Sequence, residues 1–357
     1  MSEPETALRR GTWVKVIAGA SNEDLPAIAD LCALFAVAGA DALDVAADPA
    51  VVAAARRGLD WARVRSGVRP WLMVSLSDGE DLHFRKAGLE PSRCPAGCPR
   101  PCERVCPALA ISFPAGVDAN RCYGCGRCLP ACPHGLIEAR STSLPAASLP
   151  GLLSGLRPDA VEIHTAAGRG EAFSERLVGI AAAGLPLRRL SVSCGPGSGR
   201  PQGIEAFVGE LWDRHRRLRP YPWPVIWQLD GRPMSGDVGD GMARAAVTLW
   251  QALRRHAPPG PLQLAGGTGP HSHALLGGAA ATAPRRHRPA GVAFGGSARS
   301  LLQPLLLEAH RSGVPLRDHP RLSMEALARA RSLLRPWKPA AALEGAPAGS
   351  WSAPAHC

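Results

Sequence analysis

The feature that most constrains this 357-residue chain is a series of eight short apolar runs closed by small or polar residues, at 13–19, 42–48, 71–77, 159–165, 190–195, 224–231, 261–268 and 291–299. Runs of this length between turn formers predict strands. Most are followed by a segment with helical spacing. In 24–38, Leu25, Ile28, Leu31, Leu34 and Phe35 recur near every 3.6 residues, with Asn22 or Asp24 as cap and Gly39 as stop. Strand and helix in alternation predict a parallel sheet covered by helices. Eight repeats is the number that closes a (β/α)8 barrel of the TIM type, although an open doubly wound sheet shares the alternation.

Strand starts are mostly 29 to 37 residues apart, but the interval after the third strand is 88. The surplus reads as a module of residues 89–140 inserted between that strand and its helix. It therefore leaves the barrel from a βα loop, the face on which barrel active sites are built. The expected organisation is barrel over 11–88, insert over 89–140, barrel again over 141–335, and a disordered tail over 336–357, rich in Ala, Pro, Gly and Ser.

Hydrophobic residues make up 46% and charged residues 20%, which excludes general disorder. The polar first ten residues show no secretory signal, and the uncharged stretch 257–284 is broken by Gly, Pro, His271 and His273. A cytoplasmic protein without a transmembrane segment is expected. In a reducing compartment, closely spaced cysteines point to metal or redox chemistry.

Eight of the eleven cysteines lie in the insert. Cys122, Cys125, Cys128 and Cys132, followed by Pro133, have the C-x2-C-x2-C-x3-C-P spacing of bacterial ferredoxins, in which the fourth cysteine ligates the other cluster of a pair. Gly124 and Gly126 let the loop backbone approach a cluster closely. A structural zinc needs only four ligands and does not call for this run. Cys94, Cys98, Cys102 and Cys106, followed by Pro107, keep the C-x3-C-P ending but widen the earlier gaps. Crossed ligation gives one cluster Cys94, Cys98, Cys102 and Cys132, and the other Cys122, Cys125, Cys128 and Cys106. Two 4Fe–4S clusters are expected, with a 3Fe–4S form as the alternative for the looser first run. Arg93, Arg100, Arg104, Arg121 and Arg127 favour the reduced state. Cys32 reads as a core residue, while Cys194 at a strand end is a candidate reactive thiol.

The strand ends also place Asp44, Asp48, His164, Asp230 and Arg232 at a barrel mouth. Gly266, Gly267 and Thr268, with Gly295, Gly296, Ser297 and Arg299, resemble the phosphate site after the seventh and eighth barrel strands; tight turns are the competing reading. Such a site suits a phosphorylated metabolite or FMN, for which no separate signal exists. His271 and His273 read as a solvent-exposed pair. The formal charge of +11, with basic stretches at 214–219 and 285–288, raises nucleic acid as a ligand. With only two tyrosines and scarce lysine, no dedicated nucleic-acid site is expected.

Residues 14–24 (VKVIAGASNED), 38–48 (AGADALDVAAD) and 230–237 (DGRPMSGD), with the two cysteine runs, resemble the cyanobacterial light-dependent period (LdpA) family over most of 11–335. The resemblance implies an iron–sulfur protein that senses redox state and relays light-dependent information to the circadian clock, with a clock input kinase and core clock proteins as partners. It carries no catalytic role onto the barrel mouth. The expected function is thus a non-enzymatic redox sensor that follows the quinone or ferredoxin pool. The alternative is an iron–sulfur oxidoreductase feeding electrons to a flavin or phosphorylated substrate in the barrel mouth.

Overall fold

The computed structural model describes residues 3–19, 25–80, 85–141, 144–196, 203–231, 243–277, 284 and 288–338. Strands β1 (Trp13–Gly19), β2 (Ala42–Ala46) and β3 (Trp71–Ser77) pair in parallel, each separated from the next by one helix, Leu25–Ala38 or Pro49–Ser66. Asp48 starts the second of these, its carboxylate accepting the N–H groups of Ala50 and Val51. Asn22 and Asp24 lie outside the described residues.

Four short strands follow β3 away from the main sheet: β4 (Arg85–Gly88), β5 (Ile111–Ser112), β6 (Gly116–Val117) and β7 (Glu138–Ser141). The sheet resumes with β8 (Ala160–His164), β9 (Arg189–Cys194), β10 (Val225–Asp230), β11 (Leu262–Ala265) and β12 (Gly291–Phe294). These eight parallel strands close as β1-β12-β11-β10-β9-β8-β3-β2. The chain is a (β/α)8 barrel carrying an insertion after its third strand. Every barrel strand begins within one residue of its expected start.

Alternate side chains of each strand face inward. Barrel interiors are usually filled by bulky aliphatic residues, but here Lys15, Asp44, Ser75, Glu162, Ser191, Gln228 and Gln263 occupy the interior, all buried. Apolar stabilisation comes instead from the outward positions, such as Val14, Val16, Leu43, Val45, Val161 and Ile163, packed under helices that contribute Phe35, Phe173 and Trp250. Each large side chain so buried contributes about 1.5–3 kcal/mol.

Helix Pro4–Arg10 closes the N-terminal end of the barrel, where Ala7 and Leu8 pack with Trp13, Trp71 and Ile226. Glu5 pairs with Arg189 to hold it there. At the other end of the chain Trp337 is buried and Lys338 pairs with Asp41, so packed chain continues to 338. Residues 339–357 lie outside the described residues.

β4 and β7 pair antiparallel from Arg85↔Ser141 to Gly88↔Glu138 and form the neck of the insert. Between them lie the β5–β6 hairpin and two short helices, Pro101–Val105 and Cys128–Ala131. The chain then enters helix Leu149–Leu156 and β8. The insert thus leaves and rejoins the barrel at its C-terminal face.

Candidate metal centre and barrel mouth

Both cysteine runs end alike, in one helical turn, a cysteine in extended backbone, and a proline. Cys106 has φ −77° and ψ 106°, and Cys132 has φ −76° and ψ 111°. Proline disfavours helical backbone in the residue before it, so Pro107 and Pro133 turn each terminal cysteine out of its own helix. The two helices pack against each other, which carries each terminal cysteine toward the opposite run.

The last cysteine of each run lies with cysteines of the other run. Cys106, Cys122, Cys125 and Cys128 line one pocket whose other walls include Ile111 and Leu129. Cys94 contacts Cys98 and lies in electrostatic reach of Cys102, which in turn lies in reach of Cys132. The sulfurs are spread rather than drawn to a point. Among the described residues no three His, Cys, Asp or Glu side chains converge as ligands of a single ion would.

Backbone N–H groups face the sulfurs. Ala110 donates to Cys106 at 3.2 Å, Leu136 to Cys132 at 3.4 Å and Ala87 to Cys122 at 3.5 Å. Burial, then the charges of Cys125 and Cys122, push the Cys128 thiol up to about 11. Burial opposes ionisation of Cys132 as well, but the N–H groups of Leu136, His134, Ile137 and Gly135 outweigh it and hold that thiol below the ordinary range. Gly124 has φ +83°, and a Cβ on it would lie 2.3 Å from the Arg85 carbonyl oxygen. Only glycine lets this loop lie so close to β4.

Thiol donors round an apolar pocket, with N–H groups aimed at sulfur, fit an iron–sulfur cluster. The core of the insert points the same way. Its buried apolar members are few, chiefly Cys102, Ile111, Cys128 and Ile137, and a module this small generally needs a metal or covalent staple to stay folded.

Inside the barrel, Glu162 accepts four hydrogen bonds: from Lys15 at 2.5 Å, Ser191 at 2.6 Å, Gln228 at 3.0 Å and His164 at 3.2 Å. Burial alone would raise its pKa, but Lys15 and His164 overcome burial and hold it well below the carboxylate range. Asp44, with donors from Lys15 and Ser75, keeps the rise that burial imposes. The chain of bonds continues from Trp13 to Gln263, to Gln228, to Ser193 and to Asp230. Asp44 therefore belongs to the interior, below the mouth. Neither Lys15 nor Glu162 stands out in the sequence as a site residue, because each is a single polar letter in an apolar run.

At the mouth, Gly266 and Gly267 have φ +64° and +92°. The Thr268 hydroxyl donates to the Ala293 carbonyl, and Ser297 donates to the Thr268 carbonyl at 2.8 Å. These hydroxyls tie the seventh and eighth βα turns together. Gly295 and Gly296 begin helix Gly296–Ser312, on which Arg299 is already engaged with a partner. Asp230 ends β10, and Arg232 lies outside the described residues. Cys194 is buried, and burial first, then the charge of Asp230, drives its thiol far above the range in which it reacts, which corrects the reactive reading. The basic stretch 214–219 is largely neutralised: Arg214 pairs with Glu210 and Asp213, and Arg217 with Asp213 and Glu171.

Over 341 residues the chain is 46% identical to "Light dependent period A" of Synechococcus elongatus, an alignment covering 95% of each protein. The chain belongs to the light dependent period A family. Residues 94–143 match the LdpA Fe-S cluster-binding domain and residues 152–336 the Light dependent period A C-terminal domain. The insert of this LdpA family member is therefore an iron–sulfur-binding domain. Among solved structures, a Burkholderia cenocepacia J2315 protein described as a lyase/mutase aligns over 91% of this chain and 94% of its own, with a TM-score of 0.40 and 12% identity, too distant to inform function. No helix among the described residues is long and apolar enough to cross a membrane.

Proposed function

We propose that this LdpA family member is a cytoplasmic redox sensor holding two 4Fe–4S clusters, one on Cys94, Cys98, Cys102 and Cys132, the other on Cys106, Cys122, Cys125 and Cys128. When bound, the clusters supply one-electron redox chemistry. The observation that supports the reading is that Cys106 lines a pocket with Cys122, Cys125 and Cys128, while Cys132 lies in electrostatic reach of Cys102. Pro107 and Pro133 hold these two cysteines out of their helices, the N–H groups of Ala110 and Leu136 face their sulfurs, and Ile111 and Leu129 line the pocket of the second quartet. Oxidation level would follow the quinone or ferredoxin pool and reach the circadian clock through a clock input kinase and core clock proteins. Such a signal requires the two redox states to differ in affinity for the partner.

The test is anaerobic isolation with iron, sulfide and flavin analysis and EPR. About eight iron atoms per chain without flavin, in two spectroscopically distinct clusters, is the expected result. Stoichiometric flavin would favour the oxidoreductase reading, with Gly266, Gly267, Thr268, Gly295, Gly296, Ser297 and Arg299 as the anion site.

A further inference from the structure

Resting on the iron–sulfur reading above, we propose that the face of the insert around the first cysteine run is a docking surface for an acidic one-electron carrier protein. Residues 85–141 hold eight Lys or Arg against four Asp or Glu. Several of these cations have no internal task. Arg93 and Arg104 flank Cys94 and Cys102, Arg121 precedes Cys122, and all three are exposed with no ion-pair partner among the described residues. The basic helix of the barrel differs in this respect, since there Arg214 and Arg217 are paired with carboxylates. The guanidinium of Arg100 is fixed over the Phe113 ring, 4.2 Å from its centroid.

The chain covering the first quartet is also unusually thin. Pro95, Ala96, Gly97 and Pro99, which flank Cys98, and Pro133, His134 and Gly135, which follow Cys132, are exposed, and apart from His134 they carry little side-chain bulk. A partner's surface can therefore come close to the sulfurs, as electron exchange between proteins requires. The second quartet lies deeper, within its apolar pocket.

Leu109, three residues past Cys106, leaves two thirds of its side chain in water on a backbone with φ +49°. Branched residues avoid that region, and the turn that aims the Ala110 N–H at Cys106 does not itself call for an exposed leucine. A small apolar contact on a module with unpaired positive charge matches the small, electrostatically steered interfaces of redox proteins. DNA or an anionic membrane would also meet the charge. Neither would use a thin cover over the cysteine sulfurs, which is why the acidic carrier is favoured.

The experiment measures binding by calorimetry, using the anaerobically prepared, cluster-loaded protein. The probe is an acidic 2Fe–2S carrier protein in gallium-substituted, redox-inert form, at low and high salt. Binding that weakens about tenfold or more at high salt is expected, as is a similar loss in the R93E/R104E/R121E variant with iron content and 400 nm absorption unchanged. L109S tests the apolar contact and should weaken binding without altering the salt slope. Equal binding by the charge-reversal variant, or tighter binding to duplex DNA or phosphatidylserine vesicles than to the carrier, would overturn the proposal. Protein that holds iron but ignores the carrier refutes this surface alone, whereas protein without iron and sulfide refutes the cluster reading beneath it.

Discussion

The ammonium of Lys15 lies 2.5 Å from the carboxylate of Glu162, joining β1 to β8 across the barrel with both groups fully buried. The same ammonium holds Asp44 of β2 at 2.9 Å. One cation is thus shared by two acids from two other strands.

Removing that cation should be costly. Lys15→Met leaves Asp44 without its counter-ion and Glu162 with His164 alone, and breaking a buried pair this way costs about 3–5 kcal/mol. The barrel should unfold at correspondingly lower urea. Glu162→Gln keeps an acceptor for Ser191 and should cost less. If Lys15→Met unfolded at the same urea concentration as the parent, the ion pair would have no part in stability.

The contrast between this network and the cysteines shows what a sequence displays. Strands announce themselves through local apolar runs, and the cysteine spacing is local too, so barrel and insert were both legible. The interior network joins Trp13 to Gln263, 250 positions apart, and Lys15 to Glu162, 147 apart. Nothing in the run containing Gln228 says that its amide meets Glu162 rather than solvent. The plug formed by Pro4–Arg10 was hidden for a related reason: seven mostly polar residues reveal an apolar side only when a barrel end is present to receive Ala7 and Leu8.

Asp41 and Lys338 should give the fold a pH dependence below neutrality. Burial raises the Asp41 carboxyl to about 6, with Lys338 and the Val14 N–H opposing the rise. Because the folded chain holds that proton more tightly than the unfolded chain, stability from this group is fullest below about pH 4 and is lost as pH rises through about 6. The full span is on the order of 3 kcal/mol. Urea titrations of the parent and Asp41→Asn at steps from pH 4 to 7 should therefore show the parent losing stability relative to the variant as pH rises. Two parallel curves would contradict it.

Gly124 should be intolerant where Gly97 is not. Alanine at 124 must adopt φ +83° and place its Cβ against the Arg85 carbonyl, whereas at 97 it meets nothing within 4 Å. The left-handed backbone alone costs about 1–2 kcal/mol. Gly124→Ala should lower bound iron and the 400 nm absorption while far-ultraviolet circular dichroism of the barrel stays the same, and Gly97→Ala should leave iron unchanged. Full iron in both variants would mean that the loop does not have to lie against β4.

The exchange of terminal cysteines makes a prediction that separates crossed ligation, read from the spacing, from ligation run by run. Grouped by run, Cys106→Ser should resemble Cys98→Ser, and Cys132→Ser should resemble Cys125→Ser. Grouped by the structure, Cys106 belongs with Cys125 and Cys128, and Cys132 with Cys102. Cys106→Ser and Cys125→Ser should therefore change the same EPR signal, and Cys132→Ser and Cys98→Ser the other, each variant losing up to about half of the iron. Serine is nearly isosteric with cysteine, so the neighbouring helical turn should survive in each case. The four spectra sort the cysteines independently of iron yield. If they paired by run, the two helices could not be carrying their last cysteines across to each other.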